Sequence, residues 1–340
     1  MWRNDPEWRV SFLTISDSDS GFGHVSRVLK MIEALDKVGT IVSELTVLGS
    51  WPRGFPDRPP ATQVLPVTRD ADFSVVNWLS RRLQSGPCDA IVIDVPWDLV
   101  RSGGVELLLS RQKGSTAVIG VDGPQDRDIG FDLIYVPSFH LDSALHNLNT
   151  RVVFGWDAYL LRNVVRASAR QTRKTLVVGV GGSDVHGLSR IWPAKIRALE
   201  VFEEVSWIRG AHAPPPLGVD GWSEFTDYVS PDDPTEIMKK AAYGLAVFGL
   251  TFFEFCASGI PCVTYSPYGE KTARQMQALQ QSNLGLVAVN PNDAVEKLSR
   301  LADFTPRQHF QMRHKARWKL RKHEGARFTR ELRRELSHID

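Results

Sequence analysis

Short apolar runs alternate with amphipathic stretches along the chain, and that alternation predicts a parallel-sheet α/β protein. Residues 10–15 read as a first strand, and 24–35 as a helix with Val25, Val28, Leu29, Ile32 and Leu35 on one face. Further strands are predicted at 41–48, 90–94, 117–121 and 133–136, with a proline-rich loop over 51–60. Residues 154–159 close this half, and a basic linker over 166–174 leads into a second cycle. Its strands are predicted at 175–180, 205–209, 225–229, 245–248, 262–265 and 283–289. Its helices are predicted at 188–202, interrupted near Pro193, and at 231–240, 252–258 and 291–301. Residues 306–340 read as one long basic helix. The expected division is a first α/β domain over 1–165, a second over 166–305 and a helical tail over 306–340.

The turns after the strands carry the candidate chemistry. Residues 16–23 form a polar, glycine-bearing loop between the first strand and the first helix, the opening of a doubly wound domain. The third glycine of a dinucleotide fingerprint is missing there, which disfavours a nicotinamide cofactor. His24, next to Gly23, sits at the helix start beyond the carboxyl end of the strand, where α/β sheets place their ligands. The helix dipole disfavours imidazolium at that position, so a neutral ring able to accept a proton is expected. Asp17 and Asp19 are candidates to orient the ring. Arg27, one turn on, faces either a phosphate or water. Asp94 and Asp122 end their strands on the ligand-bearing edge, where they either serve the site or cap the following helices.

In the second half two glycine turns recur, Gly181-Gly182-Ser183 and Gly249-Leu250-Thr251. Amides at the start of a helix are unpaired and carry partial positive charge, so both turns can hold a diphosphate. Gly249 is expected to let the backbone bend and to leave room for a ligand. Glu254 follows Thr251 by about one helical turn, where its carboxylate either accepts ribose hydroxyls or lies on a solvated face.

Composition narrows the class. With 42% hydrophobic and 24% charged residues, the 340-residue chain has the make-up of a globular protein with a large core. The net charge of +2 gives no global case for nucleic acid. The charge is uneven, however: from Pro306 onward there are 11 basic against 4 acidic residues, leaving 30 against 35 elsewhere. Such a tail suits either a surface helix packed along the domains or peripheral contact with an anionic membrane or acceptor. Cys88, Cys256 and Cys262 include no C-x-x-C pair, so neither zinc nor a disulfide framework is indicated, and a reducing cytoplasm fits best. The charged N-terminus does not read as a signal peptide, and no apolar run is long enough to span a bilayer.

Four segments in order resemble a known family: GFGHVSR, FGWDAYLLRNVV, VVGVGGSD and YVSPDDPTEIMKKAAYGLAVFGLTFFEFCASGIP. They are similar to the GT-B nucleotide-sugar enzymes, and within them to the UDP-sugar hydrolase of pseudaminic acid biosynthesis and related spore-coat polysaccharide proteins. The resemblance covers the chain to about Val289. It implies two Rossmann-like domains facing a central cleft, a UDP-sugar held mainly by the second, and a site with neither metal nor cofactor. It places a general base on His24, a ribose ligand on Glu254 and the nucleotide turn on Gly249, Leu250 and Thr251. Two segments depart from the hydrolases. Tyr268-Gly269-Glu270-Lys271 replaces an Asn-Gln pair, and Val95-Pro96-Trp97-Asp98 replaces an acidic-Tyr segment, while Gln275 is a substitute sugar contact. These departures concern the sugar, so an inverting glycosyltransferase with an unidentified acceptor is the first reading. A UDP-sugar hydrolase using water is the second, and a non-catalytic nucleotide-sugar-binding protein the third.

Overall fold

The uninterrupted apolar runs of the sequence become strands buried on both faces, as parallel sheets covered by helices require. A computed structural model describes residues 8–17, 20–52, 55, 57–67, 70–97, 100, 103–110, 115–123, 129–141, 149–166, 173–184, 186–231 and 233–338. The chain divides into two compact units. One comprises Met1–Pro52, Asp57–Leu160 and Lys322–Asp340, the other Arg53–Pro56 and Leu161–Arg321.

The first unit holds strands β1 (Arg9–Ser16), β2 (Ile41–Gly49), β3 (Thr62–Leu65), β4 (Ala90–Asp94), β5 (Ala117–Val121), β6 (Leu133–Tyr135) and β7 (Arg151–Val153). They form one sheet in the order β3-β2-β1-β4-β5-β6-β7, every pair parallel. Helices α1 (Gly23–Asp36), α2 (Ala71–Gln84) and α3 (Gly103–Ser110) complete its crossovers. Val75, Trp78 and Leu79 of α2 and Val105 and Leu109 of α3 pack with Ile91, Ile93 and Val118 in one core. The Trp78 indole is satisfied inside that core by donating to Thr46 Oγ1 at 2.8 Å.

The second unit holds β8 (Thr175–Gly179), β9 (Glu204–Arg209), β10 (Phe225–Val229), β11 (Tyr243–Val247), β12 (Cys262–Tyr265) and β13 (Leu286–Ala288). Their order is β10-β9-β8-β11-β12-β13, again parallel throughout. Helices α4 (Leu188–Arg197), α5 (Pro234–Lys239), α6 (Leu250–Ser258), α7 (Ala273–Ser282) and α8 (Pro291–Ala302) surround it. Trp192 of α4, Trp207 of β9 and Leu298 of α8 lie in its core. α4 runs through Pro193 rather than breaking there, and ends at Arg197, short of the expected 202. The Ser189 carbonyl that Pro193 leaves without an intrahelical donor accepts from Leu217 N–H at 2.9 Å. α5 starts at Pro234 and not at 231, because the Asp233 side chain caps it by accepting from Thr235 N–H at 2.8 Å.

The basic tail, read as one helix, is two: α9 (Pro306–Lys319) and α10 (Ala326–Leu336). Gly325 precedes α10 with φ of +85° and lies so close to α1 that an added Cβ would meet Ala34 Cβ at 2.7 Å. No other residue fits there without strain. α9 belongs to the second unit and α10 to the first. α10 buries Phe328, Leu332 and Leu336, spaced four apart on one face. Phe328 meets the Tyr135 ring edge-on at 5.3 Å, and Arg151 pairs with Glu331 at 2.7 Å and with Glu335.

Both sheets follow the doubly wound pattern, in which strand order reverses next to the first strand. The reversal falls between β1 and β4 in one unit and between β8 and β11 in the other. Such switch points open a crevice at the carboxyl ends of the strands, where ligands of this architecture bind.

Candidate functional site

At the switch point of the first unit, α1 brings His24 and Arg27 onto one face, three residues apart. Asp94, the last residue of β4, lies opposite Thr14 of β1 in the register. His24 Nδ1 is 2.6 Å from Asp94 Oδ1. Arg27 grips the same carboxylate from two nitrogens, Nη2 to Oδ1 at 2.6 Å and Nε to Oδ2 at 3.0 Å. Its Nη1 donates to Asp122 Oδ2 at 2.6 Å.

Asp94 is fully buried. Burial alone would raise its pKa, but Arg27 and His24 outweigh it and hold the carboxyl below its ordinary value. Burial also works against the Arg27 charge, and the two carboxylates overcome it, pushing that pKa above its ordinary value. An ionised carboxylate only accepts hydrogen bonds. The proton between His24 and Asp94 therefore belongs to Nδ1, an assignment made from the bonding network. Arg27 Nη2, although 3.0 Å from Nδ1, shares Asp94 Oδ1 with it rather than bonding to it. In the neutral ring the lone pair then falls on Nε2, and the ring keeps 16% of its side-chain surface exposed.

Several expectations change here. Asp94 orients the ring, not Asp17, which instead accepts from Ser20 N–H at 2.6 Å and closes its own turn with Gly21. Asp19 lies outside the described residues, as does Asp98. Arg27 is held by two carboxylates instead of facing a phosphate. Among the described residues Asp122 caps no helix; it adopts φ of +59° and offers a half-exposed carboxylate beside Arg27. Gly23 opens α1, and a Cβ built on it would meet nothing within 4 Å.

At the second switch point the predicted glycine turns share one edge of the sheet. Thr251 stands over the end of β8, so a Cβ on Gly179 would meet its Cγ2 at 2.8 Å. Gly182 packs against Gly210, where an added Cβ would meet the Gly182 oxygen at 2.3 Å. Gly181 takes φ of +81°. The two turns nevertheless differ. Gly182 and Ser183 do not begin a helix. α4 starts at Leu188, and Asp184 occupies its N-terminus by accepting from Leu188 N–H at 2.9 Å and Ser189 N–H at 2.8 Å. The N-terminus of α6, by contrast, has no side-chain cap. Gly249 there is extended, at φ 162°, so the bend does not require glycine; an added Cβ would enter open space. The amides of Leu250 and Thr251 thus begin a helix whose end is open to an anion.

Glu254 is buried rather than solvated, and its Oε1 accepts from Asn163 N–H at 2.9 Å. Burial raises its pKa, against the amides of Asn163 and Arg162 that favour its charge. Ser258, one turn on along the same face, accepts from Val165 N–H at 2.9 Å. Together they fasten the segment 163–165 to α6, a role the sequence did not suggest for either residue. Gln275 is half-buried in the first turn of α7.

Solved structures were found that share this architecture across nearly their whole length. CalG4, the calicheamicin glycosyltransferase, superposes with a TM-score of 0.58 at 15% identity, covering 98% of this chain and 100% of its own. Phytolacca americana UGT2 complexed with UDP-2-fluoro-glucose and pterostilbene gives a TM-score of 0.62 at 11% identity, with 98% and 100% covered. Acinetobacter baumannii MurG gives 0.54 at 13% identity, with 92% and 95% covered. The fold is that of the GT-B glycosyltransferases. At such identities the GT-B likeness is one of architecture, and it leaves reaction and substrate to be argued from the residues. No protein-family model matches the sequence, and no curated protein matches it either.

Proposed function

We propose that the protein is a glycosyltransferase that moves a sugar from a nucleotide-diphosphate donor to an acceptor hydroxyl, with inversion and without a metal ion. The observation that carries this reading is the His24–Asp94 pair at the first switch point, with Nε2 free to take a proton. In a single displacement the acceptor oxygen bonds to the anomeric carbon as the bond to the diphosphate breaks, and the hydroxyl proton passes to Nε2. One displacement inverts the carbon. The open N-terminus of α6 takes the charge that develops on the diphosphate. Asp94 keeps the imidazole in the productive tautomer and steadies the imidazolium that forms, and Arg27 keeps Asp94 ionised. General-base catalysis of this kind contributes about 10²–10⁴ in rate.

The UDP-2-fluoro-glucose complex of UGT2 supports a UDP-linked donor. Three free, buried cysteines suit a reducing compartment such as the cytoplasm. The GFGHVSR and VVGVGGSD segments favour a second reading, hydrolysis of a UDP-sugar, in which water replaces the acceptor hydroxyl. NMR of the protein with UDP-sugars, with and without acceptors, separates the two. Transfer only with acceptor supports the first, and sugar release without acceptor supports the second. Donor binding with no turnover under any condition supports a non-catalytic binder. Activity lost in EDTA and restored by a divalent cation would refute metal independence.

A further inference from the structure

α9 is seated on the second unit by one face and offers the other to solvent. Ala316 and Leu320 are buried, His309 meets the Tyr243 ring at 5.7 Å, and Arg317 donates to the Ser258 carbonyl at 2.7 Å. On the outer side stand Phe310, His314 and Trp318, spaced four apart so that they form a single stripe. Phe310 is 66% and Trp318 57% exposed, an arrangement that costs free energy if the face meets only water. They are about 12 Å apart along the axis at 1.5 Å per residue. The Phe310 and His314 rings stack at 5.9 Å, and Arg321 lies over the Trp318 ring at 4.4 Å.

Charge singles out the same stretch. Residues 306–322 contain seven Lys and Arg and no Asp or Glu, while the chain before Pro306 carries 30 basic against 35 acidic residues. Arg307, Lys315 and Arg321 are exposed around the aromatic stripe. Exposed aromatics bordered by cations on a helix lying along a surface match the boundary of an anionic bilayer: the rings enter the headgroup region and the cations meet lipid phosphates. A single-stranded nucleic acid also stacks on aromatics, but along a positively charged groove that tracks its backbone, whereas the exposed rings here form one stripe on a single helix.

We propose that α9 docks the protein on an anionic lipid bilayer through Phe310, Trp318 and the cations around them. This surface is independent of the donor chemistry and adds a place of work to it: an acceptor at or in a membrane. Each exposed cation near an anionic leaflet strengthens partition about five-fold. The test is co-sedimentation of the intact protein with phosphatidylglycerol-containing vesicles and with pure phosphatidylcholine vesicles. Binding is expected to the first and not to the second, and to fall as salt approaches about 1 M, where the Debye length is about 3 Å. The double variant R307Q/K315Q should bind about 25-fold more weakly, from two such cations, and F310S/W318S should bind at least about ten-fold more weakly. All four side chains lie on the surface, so unchanged melting temperatures will show that the fold is kept. F73S, which removes another exposed ring on α2, should bind as the parent does. The proposal is overturned by absence of vesicle binding, by equal binding to phosphatidylcholine, or by either double variant binding like the parent. It is also overturned if a single-stranded RNA oligonucleotide binds α9 and the vesicles do not displace it.

Discussion

Replacing Asp94 with asparagine tests the heart of the site, because the change keeps the side-chain volume and removes only charge and acceptor capacity. In the native arrangement the carboxylate accepts from His24 Nδ1 at 2.6 Å and from two nitrogens of Arg27. An amide can present its NH₂ to Nδ1 instead, which moves the imidazole proton to Nε2 and removes the base. The expected loss is therefore the whole general-base contribution, about 10²–10⁴ in kcat, or about 3–5 kcal/mol of transition-state stabilisation. KM for the donor should change little, since Asp94 touches no proposed donor contact. Stability falls as well. Breaking a buried ion pair from one side costs about 3–5 kcal/mol, and the lower end applies because Arg27 keeps Asp122. The pH dependence has a definite sign. The folded-state carboxyl sits below its ordinary value, so it contributes stability at neutral pH that is lost as pH falls below about 4. Asp94→Asn should flatten that acid limb. The assays are steady-state transfer, urea melts from neutral to acid pH, and the double variant with His24→Ala. His24→Ala alone and the double variant should have the same kcat, because the two residues act as one unit. A folded Asp94→Asn protein turning over within about three-fold of the parent, where about 10²-fold is expected, would refute the proton assignment.

Substitutions at three further positions separate local roles. Gly249→Ala should fold normally, because the position is extended and open, yet weaken donor binding measured by calorimetry, since the methyl enters the space before the α6 amides. Unchanged donor affinity would remove α6 from the donor site. Glu254→Gln should keep the bond to Asn163 and match or exceed the parent's stability near pH 8, where the raised pKa makes the ionised form costly. Glu254→Ala should lose about 1–3 kcal/mol in urea melts from the unsatisfied amide, and equal losses in both variants would contradict the structural role. Gly325→Ala should destabilise by at least about 1–2 kcal/mol, because φ of +85° is strained for any other residue and Ala34 leaves no room. A melting temperature equal to the parent's would mean that α10 does not sit against α1 as described.

What the sequence disclosed follows the range of the forces involved. Strands such as β4 and β5 are apolar along their whole length, and a local pattern identifies them without reference to neighbours. α2 also carries local signals: Asp70 caps it through the amides of Asp72 and Phe73, and Val75, Trp78 and Leu79 follow at helical spacing. β3 and β7 are short strands at the two ends of their sheet, with too few apolar positions to announce themselves. The break before α10 shows in the sequence only as Gly325. What settles it is the packing of Phe328 on Tyr135, a contact between distant parts of the chain. The site divides the same way. His24 could be singled out from its place between a glycine loop and a helix. Its pairing with Asp94, seventy residues away, depends on β4 adding beside β1, which no local signal records. Glu254 is legible as a residue of α6, but its burial and its bond from Asn163 are properties of the packed unit that no local pattern records.

The most direct test of the account is proton NMR of a UDP-sugar panel with acceptors, following the anomeric signal for the parent and for folded, donor-binding His24→Ala. The account predicts an inverted product from the parent and a rate lower by about 10²–10⁴ in the variant. Retained anomeric configuration, or a variant that transfers as fast as the parent, would contradict it.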